Sequence, residues 1–137
     1  MNFRNKLLMY HTIATALVAI PAQSLATDIN LQYQEYSLES DEAQKLWSIE
    51  SAVAEPLGKY DPWTMIATVK IPGMQDIKIG QLFSSGHCGY RDCPLKIMQG
   101  DQVLYDGFAC DAYESHQFST EFRALLACEN IIPIELK

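Results

Sequence analysis

Basic residues are scarce in this sequence of 137 residues, which has 10 Lys and Arg against 17 Asp and Glu. Nucleic acids and anionic membrane surfaces attract clustered Lys and Arg, so neither is expected as a partner. Internal repeats and low-complexity segments are also lacking, and 7 Gly and 6 Pro are typical of a globular chain. The acidic excess favours a basic partner or simple solubility.

Long apolar runs are missing after the N-terminal segment, so no membrane span is expected in the mature chain. The N-terminal segment has two cations, a mostly apolar run over 7–20, and then Ser24 and Ala26 where a signal peptidase requires small residues. This pattern predicts a signal peptide over 1–26 and a single mature domain over 27–137. A membrane anchor is disfavoured because the apolar run is short and interrupted. Cleavage removes two of the 10 cations and no acid, which leaves 8 against 17 and a formal charge of −9.

All four cysteines lie in the predicted mature domain, at Cys88, Cys93, Cys110 and Cys128. An even number behind a signal peptide indicates paired thiols in an oxidising compartment, periplasmic or extracellular. The spacing favours Cys88–Cys93 across a turn, with Cys110–Cys128 joining two neighbouring segments. Cys88–Cys110 with Cys93–Cys128 remains the alternative. A zinc site is disfavoured because secreted thiols usually oxidise first, and neither a metal nor another cofactor is expected.

Two pairs of strands are predicted in the middle of the mature domain. The runs 63–71 and 75–84 are joined by a Pro-Gly pair suited to a type II turn. The runs 94–99 and 102–109 are separated by only two residues, the length of a tight hairpin turn. Both pairs are expected to be antiparallel hairpins.

Helices are expected on either side of these strands. Ser40 is a suitable N-cap, and apolar residues at helical spacing predict a helix over 41–54. Residues 115–128 fit a helix or a strand, and we favour a short helix. The run 131–136 has the composition of a strand, and the proline within it indicates an edge strand. Residues 27–38 are predicted to form an extended lead-in. The predicted fold class is α+β: a disulfide-stabilised antiparallel sheet of about five strands with one or two flanking helices.

The motifs of common hydrolases are absent. Ser84 or Ser85 could serve as a nucleophile with His87, but the G-x-S-x-G motif that positions such a serine is absent. A cysteine nucleophile paired with His116 would need a free thiolate. The spacing of a calcium-binding loop is missing as well. No catalytic residue is predicted, and a small hydrolase using His116 is kept as an alternative.

The loop bounded by Cys88 and Cys93 is the most informative segment. If these cysteines pair, Tyr90 and Arg91 lie at the tip of a closed loop that has already lost most of its conformational entropy. Tyr and Arg are frequent in binding hot spots. Asp92 is expected to hold the loop by accepting backbone N–H bonds. We therefore predict Tyr90, Arg91 and Asp92 as partner-binding residues; the alternative is a structural turn that keeps two strands in register.

The stretch Cys-Gly-Tyr-Arg-Asp-Cys over 88–93 resembles the C-K-P-H-D-C loop of Ivy-type periplasmic inhibitors of c-type lysozyme. Both cysteines and the Asp before the second match, whereas Arg91 stands where that family has His. The order of a signal peptide, a helix, Pro62-Trp63, a hairpin and the cysteine loop is also similar. The resemblance implies an antiparallel sheet flanked by helices, with a loop that enters the lysozyme cleft.

These observations predict a small periplasmic or secreted binding protein that inhibits a lysozyme-like hydrolase through the loop 88–93. A basic hydrolase would suit the acidic chain, since opposite charges raise association rates. The alternative is a structural or accessory protein of the cell envelope or of a secretion system, without enzymatic activity.

Overall fold

The structure, a computed structural model, describes residues 28–48 and 62–136. The predicted signal peptide over 1–26 lies outside these residues. The described residues form two antiparallel sheets packed face to face, and one short helix covers the outer face of the larger sheet.

Nine strands are found within the described residues. The smaller sheet contains β1 (Asp28–Asn30), β7 (Gln117–Ser119), β8 (Ala124–Ala127) and β9 (Asn130–Pro133), in that order. The larger sheet contains β2 (Gln34–Ser37), β3 (Trp63–Val69), β4 (Ile77–Phe83), β5 (Asp92–Gln99) and β6 (Gln102–Cys110), again in that order. The helix α1 spans Asp41–Leu46, and a 3-10 turn spans Tyr113–Ser115.

The predicted α+β class is wrong, because residues 115–128 do not form a helix. They contain β7 and β8, an antiparallel pair in which Phe118 lies opposite Leu125, and both side chains are buried. Together with β1 and β9 this pair builds a second sheet where a helix was expected. The supposed lead-in over 27–38 supplies β1 and β2. The described part of the domain is therefore mostly β, with a single short helix.

Both predicted hairpins are confirmed. β3 pairs with β4 along its whole length, and β5 pairs with β6. Their turns contain Gly73 and Gly100 with φ of 78° and 57°, a region that side chains other than glycine rarely adopt. The predicted final strand is β9, which lies at an edge of the smaller sheet.

The main hydrophobic core lies between the two sheets. Its largest buried side chains from the larger sheet are Ile77, Ile79, Leu95 and Ile97. They pack with side chains of the smaller sheet, including Phe118. Full burial of one such side chain contributes roughly 1.5–3 kcal/mol, so this layer holds the sheets together.

The helix α1 packs on the opposite face of the larger sheet. Its predicted N-cap is confirmed, because the Ser40 hydroxyl accepts the Ala43 N–H at 3.2 Å. The helix ends at Leu46, since Trp47 is extended and its indole N–H donates to the Thr64 hydroxyl at 2.9 Å. The rest of the predicted helix, from residue 49, lies outside the described residues. No helix in the described ranges is long and apolar enough to cross a bilayer.

Candidate functional site

Both disulfides lie at the same end of the domain. The structure pairs Cys88 with Cys93 and Cys110 with Cys128, which is the pairing that the spacing favours. The first bond closes the disulfide loop, residues 88–93, between β4 and β5. The second joins the end of β6 to the turn after β8, so it links the two sheets. Because Asp92 lies opposite Cys110 in the β5–β6 register, the C-terminal end of the loop lies beside the second disulfide.

Backbone hydrogen bonds hold the disulfide loop at its base. The Ser84 carbonyl accepts the N–H groups of His87 and Cys88 at 3.0 and 2.9 Å. Within the loop, the Gly89 N–H donates to the Asp92 carbonyl at 2.7 Å. This bond uses the backbone carbonyl of Asp92, and the hydrogen bonds of the described residues include none to its carboxylate, so the expected role of Asp92 in holding the loop stays a prediction.

Tyr90 and Arg91 form the exposed tip of the loop. Tyr90 is 94% exposed, and the guanidinium carbon of Arg91 lies 5.5 Å from the centre of its ring. The Arg91 carbonyl accepts the Asp111 N–H at 2.9 Å, which fastens the loop to the chain that follows β6. The tip therefore presents exposed side chains on a fixed backbone, and this lowers the entropy lost on binding.

A groove of about 780 Å³ runs between the disulfide loop and the second disulfide. It is lined by Tyr90, Arg91, Asp92, Cys110, Asp111, Ala112, Cys128, Glu129 and Asn130. Three of these residues, Asp92, Asp111 and Glu129, carry carboxylates. The ion pairs among the described residues use other acids, Glu42 and Asp106, so no basic side chain neutralises the carboxylates of the groove in an ion pair. The groove therefore carries net negative charge beside the cationic tip.

A buried polar network fixes the wall of this groove from inside. The Nδ1 atom of His116 accepts the Tyr33 hydroxyl at 3.0 Å, and its Nε2 atom donates to the Cys110 carbonyl at 3.1 Å. The Cys110 carbonyl can only accept, so Nε2 carries a proton; burial lowers the pKa of the ring and favours its neutral form, in which Nδ1 is the acceptor. Gln81 Nε2 donates to the carbonyls of Cys110 at 2.8 Å and Ala109 at 3.1 Å. The carbonyl of Cys110, where the second disulfide is attached, is thereby held by two side chains from other segments, Gln81 and His116, and Tyr33 in turn holds His116.

A row of aromatic rings supports the other side of the loop base. Phe83, the last residue of β4, stacks on Trp63 with ring centres 4.3 Å apart. Tyr113 meets Phe83 edge to face at 5.6 Å and Tyr33 at 5.4 Å. The row packs the end of β4, where the chain enters the loop, against the 3-10 turn that follows Ala112.

Sequence reasoning identified the loop but missed two residues of its support, Gln81 and Tyr33. The signal for Gln81 was present in the sequence. It occupies an inward position of β4, two residues after Ile79, and a polar side chain at such a position normally serves a specific hydrogen bond. Tyr33 gives no comparable signal, because its partner is 83 residues away.

The groups considered for catalysis are engaged within the fold. His116 is 1% exposed, and both of its ring nitrogens have partners inside the protein. His87 Nδ1 lies 3.2 Å from the Ser84 hydroxyl, which is itself buried at the loop base. All four cysteines are in disulfides. Among residues 28–48 and 62–136, no three metal-binding side chains lie close enough to hold an ion.

We expect His116 to make the stability of the domain depend on pH. Burial lowers the pKa of this imidazole, while its bond to the Cys110 carbonyl and the charge of Glu114 oppose the shift. Unfolded His titrates near pH 6.5, so below that value the unfolded chain binds the extra proton more readily than the folded one. The stabilisation is therefore complete above about pH 6.5 and is lost as the pH falls towards the folded pKa.

Chemical denaturation between pH 5 and 8 tests this expectation. His116→Gln should flatten the pH dependence and lower the stability at pH 7.5 by roughly 1–2 kcal/mol, because one or two buried hydrogen bonds are lost. The control is His87→Gln, which should keep the slope of the natural protein. An unchanged slope in His116→Gln would contradict the assignment.

Comparison with protein-family models, curated proteins and solved structures finds no match to this chain.

Proposed function

We propose that this protein is an exported binding protein that inhibits a lysozyme-like hydrolase by inserting the disulfide loop into its active-site cleft. The observation that carries the proposal is the construction of the tip. Tyr90 and Arg91 project from a backbone that is fixed by Cys88–Cys93 and by the Asp111–Arg91 hydrogen bond. The resemblance of the loop to that of the Ivy-type inhibitors supplies the class of target.

Arg91 provides the chemistry that such a cleft would bind. Glycoside hydrolases generally use a pair of carboxyl groups that flank the scissile bond. A guanidinium carries five N–H donors in a planar fork, so it can bind one carboxylate bidentately or span two. The Tyr90 ring lies under this group and offers an apolar surface to the cleft wall. The match to an acidic active site is therefore one of charge and of hydrogen-bond geometry.

The groove beside the loop favours a target that is basic outside its active site. Asp92, Asp111 and Glu129 face the solvent next to the tip. Together with the net acidic charge of the chain, they would steer a cationic protein towards the loop and raise the association rate at low salt. The proposed pairing thus has opposite charges at two levels: Arg91 against the acidic centre of the cleft, and the carboxylates against its basic rim.

The two disulfides fit a protein that is exported to an oxidising compartment. The periplasm and a signal peptide over 1–26 belong to the proposal. They agree with the target class, because peptidoglycan-cleaving enzymes act outside the cytoplasmic membrane.

An inhibition assay tests the proposal directly. Mature protein, residues 27–137 with disulfides intact, is titrated against c-type lysozymes while the clearing of a peptidoglycan suspension is followed. We expect stoichiometric inhibition at micromolar concentration, and its loss in a Tyr90→Ala, Arg91→Ala double variant that melts like the natural protein. If no lysozyme is inhibited at tens of micromolar, the proposal fails. The loop is then a structural turn that keeps two strands in register, and the alternative function, a component of the cell envelope, is favoured.

A further inference from the structure

An apolar shelf lies at the base of the disulfide loop, on the outer face of the larger sheet. Phe108 is 59% exposed on β6, and its cross-strand partner is Pro94 on β5. We call these two residues the Phe108 shelf. Both lie on the outer face, because Cys93 and Leu95 on either side of Pro94 are buried inside. The shelf is two residues, or about 7 Å, from the Asp92–Cys110 pair at the C-terminal end of the loop.

The loop tip is too small to form a stable complex by itself. Stable protein complexes bury roughly 800 Å² on each partner. An aromatic side chain buries about 150–250 Å², and a long Arg side chain has a comparable surface, so Tyr90 and Arg91 account for about half of that area. The remainder must come from surfaces next to the loop.

Two surfaces adjoin the loop, and they differ in what they can contribute. The groove is acidic, and charges at the rim of an interface act mainly on association rate and specificity. The shelf is apolar and contains an exposed phenylalanine, and aromatic residues are enriched in the desolvated centre of interfaces. We infer that the target of the loop also packs an apolar side chain on the Phe108 shelf, so that the interface extends from the tip across the outer face of β5 and β6. This inference rests on the proposed function.

Two contacts between neighbouring groups border the shelf. The Tyr105 hydroxyl donates to the Phe108 carbonyl at 3.1 Å, and Lys96 pairs with Asp106 at 3.5 Å in the adjacent cross-strand position. A target strand that paired with the edge strand β6 would need the Phe108 carbonyl as an acceptor. Because that carbonyl already accepts the Tyr105 hydroxyl, the target strand would first have to displace this bond. The Phe108 side chain is therefore the element that the target contacts. A second copy of this acidic chain is a poorer occupant, because two copies repel each other.

Matched phenylalanine variants test the inference. Phe108→Thr removes the ring and retains a residue suited to strands, so folding should be preserved. It should weaken binding to an inhibited lysozyme by 10-fold to 100-fold with an unchanged melting temperature. The control is Phe122→Thr. Phe122 is 72% exposed, but it lies in the turn before β8, at the other end of that strand from Cys128. Its replacement should change the dissociation constant by less than twofold.

The outcomes separate this inference from the proposed function. If Arg91→Ala weakens binding and Phe108→Thr does not, the shelf is outside the interface and the inference is overturned, while the proposed function stands. If the natural protein binds no lysozyme, both are overturned. Sedimentation of the free proteins gives a further check: loss of self-association in Phe108→Thr would assign the shelf to a contact between copies and overturn the inference.

Discussion

Replacement of Arg91 by alanine is expected to weaken binding to a susceptible lysozyme by 30-fold to 1000-fold, or about 2–4 kcal/mol. In the proposed complex the guanidinium makes charge-assisted hydrogen bonds to carboxyl groups in a site from which water is excluded. Truncation removes these bonds and also leaves the partner carboxyl groups without a donor. The stability of the free protein should not change, because Arg91 is exposed and the bond to Asp111 uses its backbone carbonyl.

One further variant, Arg91→Lys, separates the geometry of Arg91 from its charge, and a second, Lys70→Ala, controls for the loss of a distant cation. Arg91→Lys keeps the positive charge but loses the planar fork, so its affinity should fall between those of the natural protein and Arg91→Ala. Lys70→Ala removes an exposed cation just after β3, at the opposite end of the β3–β4 hairpin from the loop, and should bind like the natural protein. Calorimetric titration and thermal melting of all three variants provide the comparison. An Arg91→Ala variant that binds as tightly as the natural protein would show that the tip does not enter the cleft.

The hairpins could be predicted from the sequence because their signals are local. Gly73 and Gly100 each provide a left-handed turn residue between two runs of strand-forming residues. The start of α1 could be predicted as well, since the Ser40 hydroxyl accepts the N–H of Ala43, only three residues away. In each case the residues that decide the structure lie within a few positions of one another.

The second sheet could not be predicted, because its signals come from other parts of the chain. Phe118 and Leu125 lie seven residues apart, a spacing that suits one face of a helix as well as a hairpin. The hairpin is selected because both side chains can then be buried against the larger sheet. Its turn ends at Arg123, which has φ of 46°, and no glycine or asparagine marks that position in the sequence.

The candidate site was predictable only in its local part. The spacing of Cys88 and Cys93 indicates the closed loop, and the tip residues follow from it. The acidic groove and the Phe108 shelf depend on which residues β6 places opposite Asp92 and Pro94. They also depend on the contact between the two sheets that brings the turn after β8 to the loop. Single-sequence patterns carry neither the register nor that contact.

The two disulfides are expected to have different roles, one in stability and the other in binding. Joint replacement of Cys110 and Cys128 by serine should lower the free energy of unfolding by about 3 kcal/mol. That bond closes a sequence separation of 18 residues, and it joins the larger sheet to the smaller one. The shorter Cys88–Cys93 loop restricts the unfolded chain less, so its joint replacement should cost about 2 kcal/mol.

Binding should show the opposite order. Without Cys88–Cys93 the tip must be ordered when the complex forms, and the entropy of fixing several residues then opposes association. The affinity of the Cys88→Ser, Cys93→Ser variant should therefore fall by at least 10-fold. The Cys110→Ser, Cys128→Ser variant should bind nearly as well as the natural protein wherever it is folded, because Gln81 and His116 still hold residue 110 by its carbonyl. Urea denaturation and titration against lysozyme under native conditions measure the two effects. Equal losses of stability in the two double variants, or a loss of binding confined to the Cys110→Ser, Cys128→Ser variant, would contradict this division of roles.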